Sequence, residues 1–149
     1  MKKEAYSITI LADAPSHVAF DCINNVASWW TSDLQGRSRN MNDTFTVYFG
    51  EVHVSAQTIT ELLPDKKIVW LVTESMINFV NDKKEWLNTY IVFDITPKGN
   101  QTEIRFTHIG LTPDLECFSA CSNAWADYII ESLLPLINTG VGKPSGKTR

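Results

Sequence analysis

Three cysteines and three histidines are the residue types in this chain with the widest chemical range, and two of each fall where they could act together. Cys117 and Cys121 stand four positions apart, so on a helix their thiols lie on neighbouring turns of one side. With His108 and His53 they would complete a four-ligand set of the kind zinc takes. The C-x-x-x-C spacing is not a usual zinc signature, however, and a structural site needs four ligands whose geometry closes. A nucleophile reading would pair Cys117 or Cys121 with His108 as base. Against both stands the tendency of cysteine to be buried as a small hydrophobe, and core packing is the weightiest of the three readings. No metal and no cofactor is expected.

His108 shares strand parity with Ile104 and Phe106, so if those point inward the imidazole does too. It is then either a buried histidine satisfied by a partner or a polar anchor for a ligand in an apolar pocket. The first reading outweighs the second, since one histidine does not define a site.

The five tryptophans, Trp29, Trp30, Trp70, Trp86 and Trp125, carry more information. Core filling accounts for most of them. A half-closed sheet lined by Phe45, Val47, Phe49, Trp70, Ile91 and Phe93 nevertheless holds more aromatic surface than a small core needs. Ligand cavities are lined in this way, with few polar groups. The expected lining also takes in Trp29, Val54, Val72 and Thr89. Phe106, His108, Cys121, Trp125 and Ile129 complete it. No catalytic residue is assigned. Asp13, Asp21, Asp33, Asp43, Glu61 and Glu74 are scattered over different elements and form no evident acid–base pair. G-x-x-x-x-G-K-[ST], G-x-G-x-x-G, G-x-S-x-G and H-E-x-x-H are all missing, which removes the common nucleotide-binding, hydrolase and metalloprotease readings.

The elements that must position these side chains have readable periods. Tyr6–Ala12 alternates and predicts a strand. Ala14-Pro15-Ser16 opens a helix carrying Val18, Phe20, Cys22 and Ile23, and a short helix or turn with Val26, Trp29 and Trp30 follows. Strands are then expected at Thr44–Phe49, Val52–Leu62, Ile68–Thr73, Trp86–Thr96 and Thr102–Ile109. Turns separate them at Gly50-Glu51, Pro64–Lys67 and Pro97–Asn100, with a loop over Met76–Lys84. From Leu115 the period becomes helical. Phe118, Cys121, Trp125, Tyr128, Ile129, Leu133 and Leu136 fall on an arc of about 140°. Asp114 is the expected N-cap and Gly140 the stop, while Pro135 should kink the helix or end its regular part about a turn early.

Strand, helices, about five strands and one long amphipathic helix define an α+β arrangement, a curved antiparallel sheet around the C-terminal helix. At 149 residues the expectation is one domain, 1–149, stable without disulfides or metal, with residues 140–149 as a flexible tail. A net charge of −4 argues against a nucleic-acid partner. No apolar run is long enough to span a membrane, and the N-terminus does not read as a signal peptide. The odd cysteine count fits a reduced, cytoplasmic setting.

Several local strings resemble one known family. Ala27-Ser28-Trp29-Trp30 with Gly36, Thr60-Glu61-Leu62-Leu63-Pro64 with Val69-Trp70, Glu85-Trp86 with Thr89, and Phe106–Leu111 with Pro113, Glu116-Cys117 and Trp125 occur in the order found in the SRPBCC (START/Bet v 1-like) superfamily, in its activator-of-Hsp90-ATPase-homologue branch. The resemblance covers roughly residues 6–144 and implies the helix-grip fold. It also implies a hydrophobic cavity that takes lipids, polyketides or other small apolar molecules, but no catalytic residue. The expected partner is a small hydrophobic ligand, with a homodimer allowed. Burial of the ligand between sheet and helix is the first functional reading, on condition that Trp70, Phe93 and Trp125 leave space. A chaperone-associated or stress-response interaction module and a cavity enzyme using His108 are its rivals.

Overall fold

In the computed structural model, which describes residues 5–146, seven strands form one antiparallel sheet in the order β1-β7-β6-β5-β4-β3-β2. The strands are β1 (Ala5–Ala12), β2 (Leu34–Gly36), β3 (Thr44–Phe49), β4 (His53–Leu63), β5 (Lys67–Ile77), β6 (Tyr90–Lys98) and β7 (Gln101–Ile109). Helix α1 (Ser16–Asn24) and a 3₁₀ turn (Val26–Ser28) follow β1. After β7 the chain runs through α2 (Phe118–Tyr128), a π-helical stretch (Ile129–Leu133) and α3 (Leu134–Thr139). This is the helix-grip α+β fold, a curved sheet holding a C-terminal helix of 22 residues.

The strand periods determine which side chains reach the core. On β7, Thr102, Ile104, Phe106 and His108 are all fully buried, and their alternate neighbours turn away. Register shifts between β4 and β5 at Ala56/Gln57 and Ile59/Glu61 add the local twist that curves the sheet. Six strands rather than about five follow α1. The extra one, β2, is three residues long, too short to show a period.

Three element boundaries differ from expectation, each for a local reason. Strand β5 continues through Met76 to Ile77 because β4 extends to pair with it, Val54 opposite Met76 and His53 opposite Ile77. Trp86 does not start a strand. It lies in a turn closed by the Thr89 amide on its carbonyl (3.0 Å), and Asn88 takes a left-handed φ of 65°. Asp114 is not the helix cap. Glu85 supplies the cap from another segment, its carboxylate accepting the amides of Glu116 (2.9 Å) and Cys117 (3.0 Å), so α2 starts at Phe118. Beyond Pro135 the helix continues to Thr139. The π-helical stretch before it shifts the hydrogen-bond register, and the proline takes an early position of α3 where its missing N–H costs little. Gly140, at φ 87°, then stops the helix as expected.

Residues 140–146 make hydrogen bonds back to the body of the domain. The Lys143 amide donates to Ser132 Oγ (2.7 Å) and the Ser145 amide to the Trp30 carbonyl (3.0 Å). The Ser32 amide in turn donates to the Ser145 carbonyl (2.8 Å). A Cβ on Gly142 would lie 2.2 Å from the Ser28 carbonyl oxygen, so only glycine lets the chain pass this close. Residues 147–149 lie outside the described residues. No helix among the described residues is long and apolar enough to cross a membrane.

Candidate functional site

The space between sheet and helix is filled by aromatic rings. Trp70 meets Phe45 and Phe93 edge-on, both with ring centroids at 5.0 Å. Phe93 continues to Phe106 (5.3 Å) and Phe106 to Trp125 (4.5 Å). Trp29 stacks on Trp70 at 6.4 Å and donates its indole N–H to the Ile23 carbonyl at 3.0 Å. Trp29, Phe45, Val47, Trp70, Val72, Ile91, Phe93, Phe106 and Ile129 are therefore core, each fully buried, and none of them lines the open pocket described below. Ring contacts thus run unbroken from Trp70 through Phe93 and Phe106 to Trp125, across the layer where the cavity was expected. Val54 is misplaced for a second reason. It pairs with Tyr48 and Met76, on the sheet face opposite His53, Ser55 and Gln57, so it points outward.

An open, mainly aromatic pocket lies at one end of the grip, displaced from the expected position. A pocket of about 290 Å³ opens to solvent between the β3–β4 hairpin, the loop after β5 and the outer side of α2. Its inner wall is a run of indoles: Trp30 stacks on Trp125 (4.8 Å), and Trp125 on Trp86 (5.7 Å, planes 13° apart). Phe49 and Tyr128 pack beside them at 5.8 Å from each other, and Ala120, Cys121 and Ala124 contribute the helix side. Val52 and Phe79 form the mouth, each 51% exposed. Of the expected lining residues, Phe49, Cys121 and Trp125 reach this pocket. The sequence reading had missed Trp30, Val52, His53, Phe79, Trp86 and Tyr128. The tryptophan count was the one available signal for Trp30 and Trp86, because neither lies on a strand whose parity could aim it.

Behind the indole wall lies a closed polar chain. The Trp125 indole N–H donates to His108 Nδ1 (3.1 Å), which leaves the ring proton on Nε2. Nε2 then donates to Thr89 Oγ1 (2.8 Å), and Thr89 donates to the Trp86 carbonyl (2.5 Å). Gly110 allows the approach, since a Cβ there would lie 2.6 Å from Thr89 Cγ2. Burial, with a contribution from nearby His53, pushes His108 down to about 3. Both nitrogens of this neutral histidine are engaged, Nδ1 by Trp125 and Nε2 by Thr89. His108 and Thr89 hold the wall and do not line the pocket.

His53 differs. Its ring packs edge-on against Trp86 at 4.5 Å and faces the pocket, and its buried Nε2 has no hydrogen-bond partner. Burial lowers it to about 4, so it too is neutral near pH 7. The thiols of Cys117 and Cys121 interact one turn apart. The Cys117 thiol is pushed up and the Cys121 thiol lowered, in each case chiefly by the neighbouring thiol. All three cysteines are free, and the described residues contain no cluster of three or more groups that could hold a metal.

No protein-family model and no curated protein matches the sequence. Solved structures do. The Aha1 dimer from Colwellia psychrerythraea superposes with a TM-score of 0.75 at 22% identity, over 93% of this chain and 99% of that one. SSP2350 from Staphylococcus saprophyticus gives 0.70 at 14% identity, over 95% and 97%. DynU16, from the dynemicin biosynthetic locus, gives 0.72 at 12% identity, over 98% of this chain, which spans about half (52%) of DynU16. At these identities the likeness is one of fold: the chain is a helix-grip protein, built over nearly its whole length like Aha1 of Colwellia, as the resemblance to the Hsp90-activator branch implied.

Proposed function

We propose that this protein binds a small, flat, apolar molecule in the open pocket against Trp30, Trp86 and Trp125. The observation that carries this reading is the juxtaposition of a stacked indole wall with the unpartnered, buried Nε2 of His53. A buried polar atom without a partner costs about 1–3 kcal/mol, and a ligand group that pairs with it recovers that cost. Apolar burial supplies the rest, about 25 cal/mol per Å². With His53 neutral, no fixed charge lines the pocket, so the fitting ligand is uncharged where it enters and carries one donor or acceptor. That DynU16 belongs to a biosynthetic locus accords with small-molecule handling by this fold. Three free cysteines accord with a reducing compartment such as the cytoplasm. Native mass spectrometry of protein purified from its natural host tests the reading. A retained small molecule supports it. A uniformly unliganded spectrum, with no thermal shift across a panel of aromatic metabolites and lipids, contradicts it.

The half-exposed Val52 and Phe79 favour a second reading, association of two copies through the pocket mouth. The structural likeness to a protein described as a dimer adds to it. Sedimentation of wild type against Phe79→Ser decides it: a dimer that Phe79→Ser splits supports the reading, and a monomer at all concentrations removes it.

A further inference from the structure

We infer that Cys121 is a covalent attachment site for flat, apolar electrophiles of the α,β-unsaturated carbonyl class that enter the tryptophan-walled pocket. The inference rests on the binding reading above and adds a bond-forming step to it. Cys121 lines the pocket on the α2 side, and Cys117, one turn back, is fully buried. Their backbones are tied by the Cys121 amide on the Cys117 carbonyl (2.7 Å), so the two thiols keep a fixed relation. Cys117 has no access to solvent and lies outside the pocket, whereas Cys121, 5% exposed, is the thiol that a ligand in the pocket can touch. Position also favours a thiolate there: Cys121 sits in the first turn of α2, near the positive end of the helix dipole. His53 lines the same pocket, so an adduct on Cys121 would sit beside its ring.

The step balances without an oxidant. Cys121 loses its proton to solvent, its sulfur lone pair forms an S–C bond to the β-carbon, and the C=C π electrons pass through the α-carbon to the carbonyl oxygen. A proton from water then restores the carbonyl at the α-carbon. The product is a thioether, the electrophile is neither oxidised nor reduced overall, and nothing leaves. Cys22 is the internal comparison. It is more exposed than Cys121, it lies outside the pocket, and burial together with Asp21 raises its pKa.

N-phenylmaleimide tests the inference, with N-phenylsuccinimide as a probe of the same shape that cannot react. Intact mass and peptide mapping should show one adduct, on Cys121, formed at least about tenfold faster than any on Cys22. Excess N-phenylsuccinimide should slow it, and Cys121→Ser should abolish it. Mapping on the unmodified sequence keeps the test valid even if the variant misfolds. If N-phenylsuccinimide shifts the Trp86 resonances but label appears on Cys22 first, the pocket stands and the inference is overturned. If the succinimide does not bind and label is distributed by exposure alone, both the pocket reading and the inference fall.

Discussion

Acidification should destabilise this protein through His108. The ring is fully buried, neutral, and held by Trp125 on Nδ1 and Thr89 on Nε2, so a second ring proton has no acceptor waiting for it. Its folded value is about 3, against about 6.5 in an unfolded chain. The folded pKa is depressed, so the stabilisation is present above about pH 6.5 and is lost as pH falls from there toward 3. In that window the unfolded chain binds the extra proton, and stability rises with pH by about 1.4 kcal/mol per unit. From pH 7 to 5 the loss is about 2 kcal/mol, a figure that depends only on the folded value lying well below 5. His53, lowered by burial to about 4, adds to the slope in the same direction. Urea unfolding at half-unit pH steps measures it, with His108→Gln as comparison. The wild type should lose stability steadily below about pH 6.5, and the variant should show a shallower slope from a lower starting stability. A flat wild-type profile between pH 7 and 5, or an unchanged slope in His108→Gln, would refute the reasoning.

Trp125→Phe keeps an aromatic wall but leaves His108 Nδ1 without its donor, so a loss of about 1–3 kcal/mol is expected in the urea midpoint. An unchanged midpoint would mean that the polar chain contributes nothing to stability. Gly142→Ala should push the chain off the Ser28 carbonyl and free the C-terminal segment, with faster hydrogen exchange at the Lys143 and Ser145 amides. Protection equal to wild type would show that the close approach relaxes without cost. Phe79→Ser, at the exposed mouth, should change stability by no more than about 0.5 kcal/mol while weakening aromatic-ligand affinity several-fold, read by fluorescence titration.

The fold was legible in the sequence because strand and helix periods are local. Phe45 and Val47 on β3, and Ile104, Phe106 and His108 on β7, alternate clearly, and the parity that predicted their burial is the one observed. The candidate site was legible only in part. Periodicity says that Trp70, Phe93 and Trp125 point inward, but not whether three large rings from facing layers meet. That depends on the sheet's curvature, which the two register shifts between β4 and β5 help to set. Trp30 and Trp86 come from a turn and a loop, where no period aims a side chain. Val54 was assigned inward with Val72, whereas the register puts it on the opposite face, one position out of phase with His53 and Ser55. Glu85, whose carboxylate caps α2 from more than thirty residues away, has no local signature.

The central claim is that ligand meets the protein at the open indole wall and not in the core. The indole N–H resonances of the tryptophans separate the two cases during titration with a flat aromatic such as N-phenylsuccinimide. Trp86 and Trp30 should shift and saturate with a single affinity, while Trp29, bonded to the Ile23 carbonyl, and Trp70, deep against Phe45 and Phe93, stay in place. Shifts led by Trp29 and Trp70, or none at any indole, would contradict the account.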